Sequence, residues 1–127
     1  MTSSVVSDNF ETSTGAIPTL GGDSVETRLC RAWVNFNGTG TVAIRASYNV
    51  SSITDNGTGD YTVNFITAMS DVNYEANTSS TRGTLGLYLD VCSALAAIPT
   101  TTTYRFYTMT GGGSSVDSLH SSVSIFR

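Results

Sequence analysis

The 127-residue chain has no lysine and no glutamine, two prolines, two cysteines, one histidine and one tryptophan, and only 13% of its residues are charged. Each scarcity excludes something. Exposed helix faces are built mainly from Ala, Leu, Glu, Lys, Gln and Arg, so a chain this poor in them is not a helical bundle. All six basic residues are Arg and they are scattered; against ten acidic residues they leave a net charge of −4 and no basic stripe for nucleic acid. No stretch approaches the roughly 18 consecutive apolar residues of a membrane helix, so no membrane insertion is expected. Met1 to Asn9 is polar, with no basic residue ahead of an apolar run, unlike a secretory signal. Synthesis in a reducing cytosol is therefore expected, with Cys30 and Cys92 as free buried thiols rather than a disulfide. The sequons at Asn37, Asn49, Asn56 and Asn77 then follow from composition and not from glycosylation.

What the chain does have is 20 Thr, 18 Ser, 12 Gly and 8 Asn. With 39% hydrophobic residues and low charge this is not a disordered composition. It is that of a Thr-rich all-β domain. Residues 1–26, polar and broken by Pro18 and Gly21-Gly22, read as an arm or attachment segment, and 27–127 as the domain.

Alternation of period two runs through that domain. Ala32, Val34 and Phe36 share a face and end at Asn37-Gly38, a tight-turn dipeptide. Thr41 to Val50 reads as one strand, with Val42, Ile44, Ala46, Tyr48 and Val50 on one face. A second turn at Asp55–Asp60 leads to Tyr61, Val63 and Phe65, after which Ile66 breaks the alternation as though both faces were covered there. Asp71 to Ala76 is a short segment and Asn77 to Gly83 reads as a loop. Leu85, Leu87, Leu89 and Val91 mark a strand; Ser93 to Ile98 is either a helical turn or a bulged crossover. Tyr104, Phe106 and Thr108 mark another strand, Gly111-Gly112-Gly113 a flexible tip, and Leu119, Ser121, Val123 and Ile125 the last strand. Six to eight strands with short turns predict an antiparallel β-sandwich or jelly-roll-like domain.

Catalytic groups are sparse. His120 is the only histidine and falls on the outward face of the last strand; no Gly-x-Ser-x-Gly elbow occurs. Asp55 and Asp60 flank a turn and are explained as turn residues. They offer hard oxygen ligands for calcium, but their spacing matches no EF-hand loop. Two cysteines sixty-two positions apart and one histidine make no zinc pattern. Gly111-Gly112-Gly113 is not followed by Lys and a helix, so it is no phosphate cradle. A non-enzyme without cofactor or metal is expected. Surfaces remain: Trp33, Tyr88, Tyr107 and Phe126 fall opposite the aliphatic faces, where they meet a second sheet, a subunit or a ligand.

The run from Cys30 through Arg31-Ala32-Trp33-Val34-Asn35-Phe36-Asn37-Gly38-Thr39-Gly40-Thr41-Val42-Ala43-Ile44-Arg45 resembles a segment of tail fibre proteins of tailed bacteriophages, marine and cyanobacterial phages especially. The likeness continues from Ser47 to Phe65 and into Met69-Ser70-Asp71-Val72-Asn73-Tyr74, where the family more often has Pro at position 70 and Ala at 72. A Val123-Ser124-Ile125-Phe126 ending is also usual there. The resemblance covers about a third of the chain. It implies a C-terminal, β-rich domain of a homotrimeric virion structural protein that presents loops to a host-surface receptor, commonly a glycan. On this reading the arm contacts other virion proteins, and the protein localises to the tail or head surface of the particle after assembly in the host cytoplasm. With Met1 only some 26 residues ahead of the domain, no long fibre shaft is expected; the chain is either a small separate virion protein or a piece of a longer fibre. Candidate receptor-binding residues at loop tips are Asp55, Asn56, Thr58, Asp60, Asn77, Arg82 and Ser114. Candidate subunit-interface residues are Trp33, Tyr88, Tyr107 and Phe126. Alternatives are a capsid decoration (head fibre) protein and a stand-alone carbohydrate-binding module or glycan hydrolase.

Overall fold

The computed structural model describes residues 29–83 and 98–127, together with the backbones of strands at 19–20, 23–24 and 90–93. The described residues form ten strands: β1 (Thr19–Leu20), β2 (Asp23–Ser24), β3 (Cys30–Asn37), β4 (Ala43–Tyr48), β5 (Val50–Gly57), β6 (Asp60–Phe65), β7 (Glu75–Thr81), β8 (Asp90–Ser93), β9 (Thr103–Met109) and β10 (His120–Phe126). The first two pair as a ribbon. The others form two four-stranded antiparallel sheets, ordered β4-β3-β10-β7 and β5-β6-β9-β8. The β-sandwich expected from the alternation is the architecture observed.

The alternation places the core. Ala32, Val34 and Phe36 of β3, with Val123 and Ile125 of β10, face Tyr61, Val63 and Phe65 of β6 and Tyr104 and Phe106 of β9. Rings bridge the sheets: Phe36 meets Tyr61 edge-on at 5.2 Å between centroids and Phe106 at 6.2 Å. Such pairs add about 0.5–1.5 kcal/mol each beyond burial. Among the described residues, the Ser and Thr hydroxyls that enter the interior are satisfied. Ser80 and Ser121 Oγ lie 2.9 Å apart, Ser121 donates to Ser118 Oγ at 2.8 Å, and Ser118 donates to the His120 carbonyl at 2.8 Å. A buried hydroxyl without a partner would cost about 1–3 kcal/mol.

Four sequence expectations are corrected. Thr41 to Val50 is not one strand: Asn49, at φ 55°, turns the chain from the edge of the first sheet into the second. Its Nδ2 donates to the Arg31 and Thr67 carbonyls at 3.0 and 3.1 Å, and its Oδ1 accepts the Thr67 amide at 2.7 Å. The Asn37-Gly38 dipeptide is not the apex of a tight turn. The positive φ falls at Gly40, while Gly38 is there for space, because a Cβ would lie 2.3 Å from the Tyr61 hydroxyl. Asn77 to Thr81 belongs to β7 and is not loop; Ser and Thr at alternate positions conceal the pattern that burial reveals at Ala76, Thr78 and Ser80. Ile66 lies just past the end of β6 and is 69% exposed. The strand expected around Leu85 to Leu89 falls outside the described residues, which resume at β8.

Asn49→Ala should destabilise by about 2–4 kcal/mol, combining lost hydrogen bonds with a Cβ-bearing residue at positive φ that has no polar side chain to hold it. Asn49→Gly should lose less, because glycine accepts that φ freely. Chemical denaturation of the two variants checks the order.

Burial also makes the fold alkali-sensitive. The Tyr61 hydroxyl is held well above its ordinary value, chiefly by burial and further by the Asp117 carboxylate it touches. Tyr74 is pushed up to about 12, by burial and by Tyr104. Both remain protonated in the folded chain after their unfolded counterparts ionise near pH ~10, so the unfolded state binds fewer protons and stability falls as pH rises above that point. Thermal melts at increasing alkaline pH should show the decline, and Tyr74→Phe should lessen it. A flat profile would contradict the buried-phenol account.

Candidate functional site

One end of the sandwich gathers three of the expected tips. The β5–β6 turn ends at Thr58-Gly59, with the segment linking β9 to β10 packed over it: the Gly59 amide donates to Asp117 Oδ1 at 2.8 Å and the Thr108 amide to the Gly59 carbonyl at 2.8 Å. Thr58 is exposed, as are Asp55 and Asn56. Asp55 accepts the Gly57 amide at 3.0 Å, and Asn56 donates to Thr62 Oγ1 at 2.9 Å. Arg82, beyond the end of β7, and Ser114, in the glycine loop, are exposed at the same end.

Asp60 does not project there. It is 8% exposed and bound through both oxygens by Arg105, with Nε to Oδ1 at 2.8 Å and Nη2 to Oδ2 at 2.5 Å. The Arg105 guanidinium holds the carboxyl below its ordinary range, with help from Tyr107 and Asn56. Arg105 in turn sits 5.5 Å above the Tyr107 ring. Asp60 and Tyr107 therefore form a cross-strand lock on the outer face of the second sheet. Sequence spacing gave no sign of it, because Arg105 lies forty-five positions from Asp60.

The expected interface aromatics do not share one face. Trp33 (40% exposed) and Phe126 (36%) lie on the outer face of the first sheet, beside Tyr48 (59%), whereas Tyr107 lies on the second. Tyr88 lies outside the described residues. Asn77 is not at a tip: the register aligns it with Ser124 and Trp33 in one row across β7, β10 and β3, and Ser79, Ser122 and Asn35 form the next row.

These two rows line a furrow of about 420 Å³. Asn35 Nδ2 donates to Ser122 Oγ at 2.8 Å, and no charged side chain lines the hollow. A second cleft of about 530 Å³ lies at the end of the sandwich opposite the tips, with a mixed lining of Leu29, Tyr48, Ile66 and Met69 beside Arg31 and Asn49. The Cys30 thiol beside it is free and half-buried, donating to the Ala32 carbonyl at 3.2 Å. The Cys92 side chain is outside the described residues. Among the described residues no three His, Cys, Asp or Glu side chains gather, and His120 is exposed on β10. The furrow residues missed by sequence reading are Asn35, Ser79, Ser122 and Ser124. The period-two pattern around Ala76, Thr78 and Ser80 was the available signal.

No family model, curated protein or solved structure matches the chain.

Proposed function

We propose that the chain is a non-enzymatic structural and attachment domain of a tailed-phage virion, of tail-fibre or fibre-tip type, acting as a homotrimer. The outer face of the first sheet carries this reading. Trp33, Tyr48 and Phe126 stand exposed there among small polar residues, and exposed aromatics in such a setting are the usual mark of a binding surface. The likeness of the Cys30–Phe65 stretch to fibre proteins supports the virion assignment, and residues 1–26 supply the attachment segment. A host-surface receptor is the partner on this reading.

Two measurements test it together. The purified protein should sediment at a trimer's mass, and it should bind host cells saturably and compete with particle adsorption. A monomer that binds no cells would overturn the proposal.

A further inference from the structure

Both outer faces of the sandwich carry Ser, Thr and Asn side chains, and the two faces use them differently. On the second sheet the polar groups consume one another. Asn64 Nδ2 donates to Ser52 and Thr54 at 3.1 and 2.9 Å, Asn56 to Thr62 at 2.9 Å, and Arg105 closes over Asp60. On the outer face of the first sheet the described side-chain bonds are that from Asn35 to Ser122 and, at the end of β3, the local pair of Asn37 and Thr39. Asn77, Ser79 and Ser124 turn the same kinds of group into the furrow without using them on a neighbour. An amide and two hydroxyls are thus left as donors and acceptors for something else.

We propose that this furrow is a binding site for a neutral saccharide, laid across β3, β10 and β7 with Trp33 as its wall. The row from Trp33 to Asn77 spans about 10 Å, two strand spacings, which suits an extended chain of sugar rings. The Trp33 ring offers a flat apolar surface for the C–H face of a pyranose, while Asn77, Ser79 and Ser124 meet its hydroxyls. The volume of about 420 Å³ falls within the range of small-molecule sites. The absence of charge from the lining selects the class: an acidic sugar would find no cation there, and a phosphate no guanidinium. The backbone ladder fixes the rows, so the site is largely preformed.

The inference deepens the attachment reading and rests on it for its biological setting, but the chemistry is testable alone. Trp33 is the only tryptophan, so its emission reports from the site itself. The full chain is titrated with short linear oligomers of glucose, mannose, galactose, rhamnose and N-acetylglucosamine, with oligogalacturonate as the acidic comparison. A saturable change in emission with at least one neutral oligomer is expected. Asn77→Ala should weaken it about tenfold, as loss of one hydrogen bond in the site would. By calorimetry, Trp33→Ala should abolish binding, while Ser70→Ala, at an exposed position outside both the furrow and the loop tips, should leave it unchanged.

No response to any neutral oligomer overturns the proposal, as does tighter binding of the acidic one. Loss of binding with Ser114→Ala would move the site to the loop end and overturn it too. An emission change that follows protein concentration without sugar, with a matching rise in sedimenting mass, would make the furrow a contact between copies of this chain and overturn it as well. A chain that binds sugar but is absent from virions would leave the furrow standing and sink the attachment reading; a virion component that binds none would do the reverse.

Discussion

Gly59→Ala is expected to lower stability by about 3–4 kcal/mol, whereas Gly40→Ala should lower it by about 1 kcal/mol. Both glycines hold nearly the same left-handed backbone, with φ of 68° and 64°, so the intrinsic strain of adding a methyl group is the same at each. Their surroundings differ. A Cβ at Gly40 meets nothing within 4 Å, but at Gly59 it lies 2.5 Å from the Thr108 carbonyl oxygen and 2.8 Å from the Val116 amide nitrogen. Those are backbone atoms, pinned by the Thr108–Gly59 and Val116–Thr108 hydrogen bonds at 2.8 and 3.0 Å. They cannot swing aside as a side chain would. For a domain of this size the difference amounts to a melting temperature lower by on the order of 10 °C in Gly59→Ala than in Gly40→Ala. Equal losses in the two variants would show that the segment linking β9 to β10 does not pack over the hairpin.

Phe36→Ala should cost about 3–5 kcal/mol, the usual loss for a fully buried ring whose cavity cannot collapse. Phe36 is 0% exposed and touches both Tyr61 and Phe106 across the sheet interface, so its removal opens a void between layers that the backbone ladders hold apart. Phe126, the same residue type on the opposite face of the same sheet, is 36% exposed. Its change to Ala should fall within about 0.5–1 kcal/mol, in keeping with a surface position. Urea denaturation of both variants measures the sidedness of the first sheet directly. A comparable loss at Phe126 in a monomer would mean that its face is covered by the chain itself.

Strands with large apolar residues on one face were legible in the sequence. Ala32 to Phe36, Tyr61 to Phe65, Tyr104 to Thr108 and Ser121 to Ile125 all lie as the alternation requires. Where hydroxyl residues take the inner positions the signal fades: β7 reads as a loop because Thr78 and Ser80 look no different from Asn77 and Ser79. Hydropathy cannot separate a Ser satisfied inside a hydroxyl cluster from one in water. The corner at Asn49 was hidden for a different reason. Its neighbours keep perfect alternation, and only tertiary bonds to Arg31 and Thr67 explain why the strand stops.

The candidate site was legible in pieces. Trp33 and Phe126 stand out as aromatics on the wrong face of their strands, and both do lie outside the core. Nothing in the chain announces that Asn77, forty-four positions from Trp33, shares its row, since cross-strand register is a product of the whole sheet. Asp60 illustrates the converse. Its place beside a turn made it look available, but Arg105 and Tyr107 of a neighbouring strand take up the carboxylate. A loop carboxylate becomes a structural lock once its partner strand is in place.

On the proposed function, the chain is part of a virus particle and the polar-aromatic face of its first sheet is turned outward. The most direct measurement is gold-labelled antibody against the purified domain, viewed on intact particles by electron microscopy. Labels clustered at the tail fibres or their tips are the predicted result. Labels confined to the head shell would contradict the tail assignment and favour a decoration role, and particles without any label would contradict the virion assignment itself.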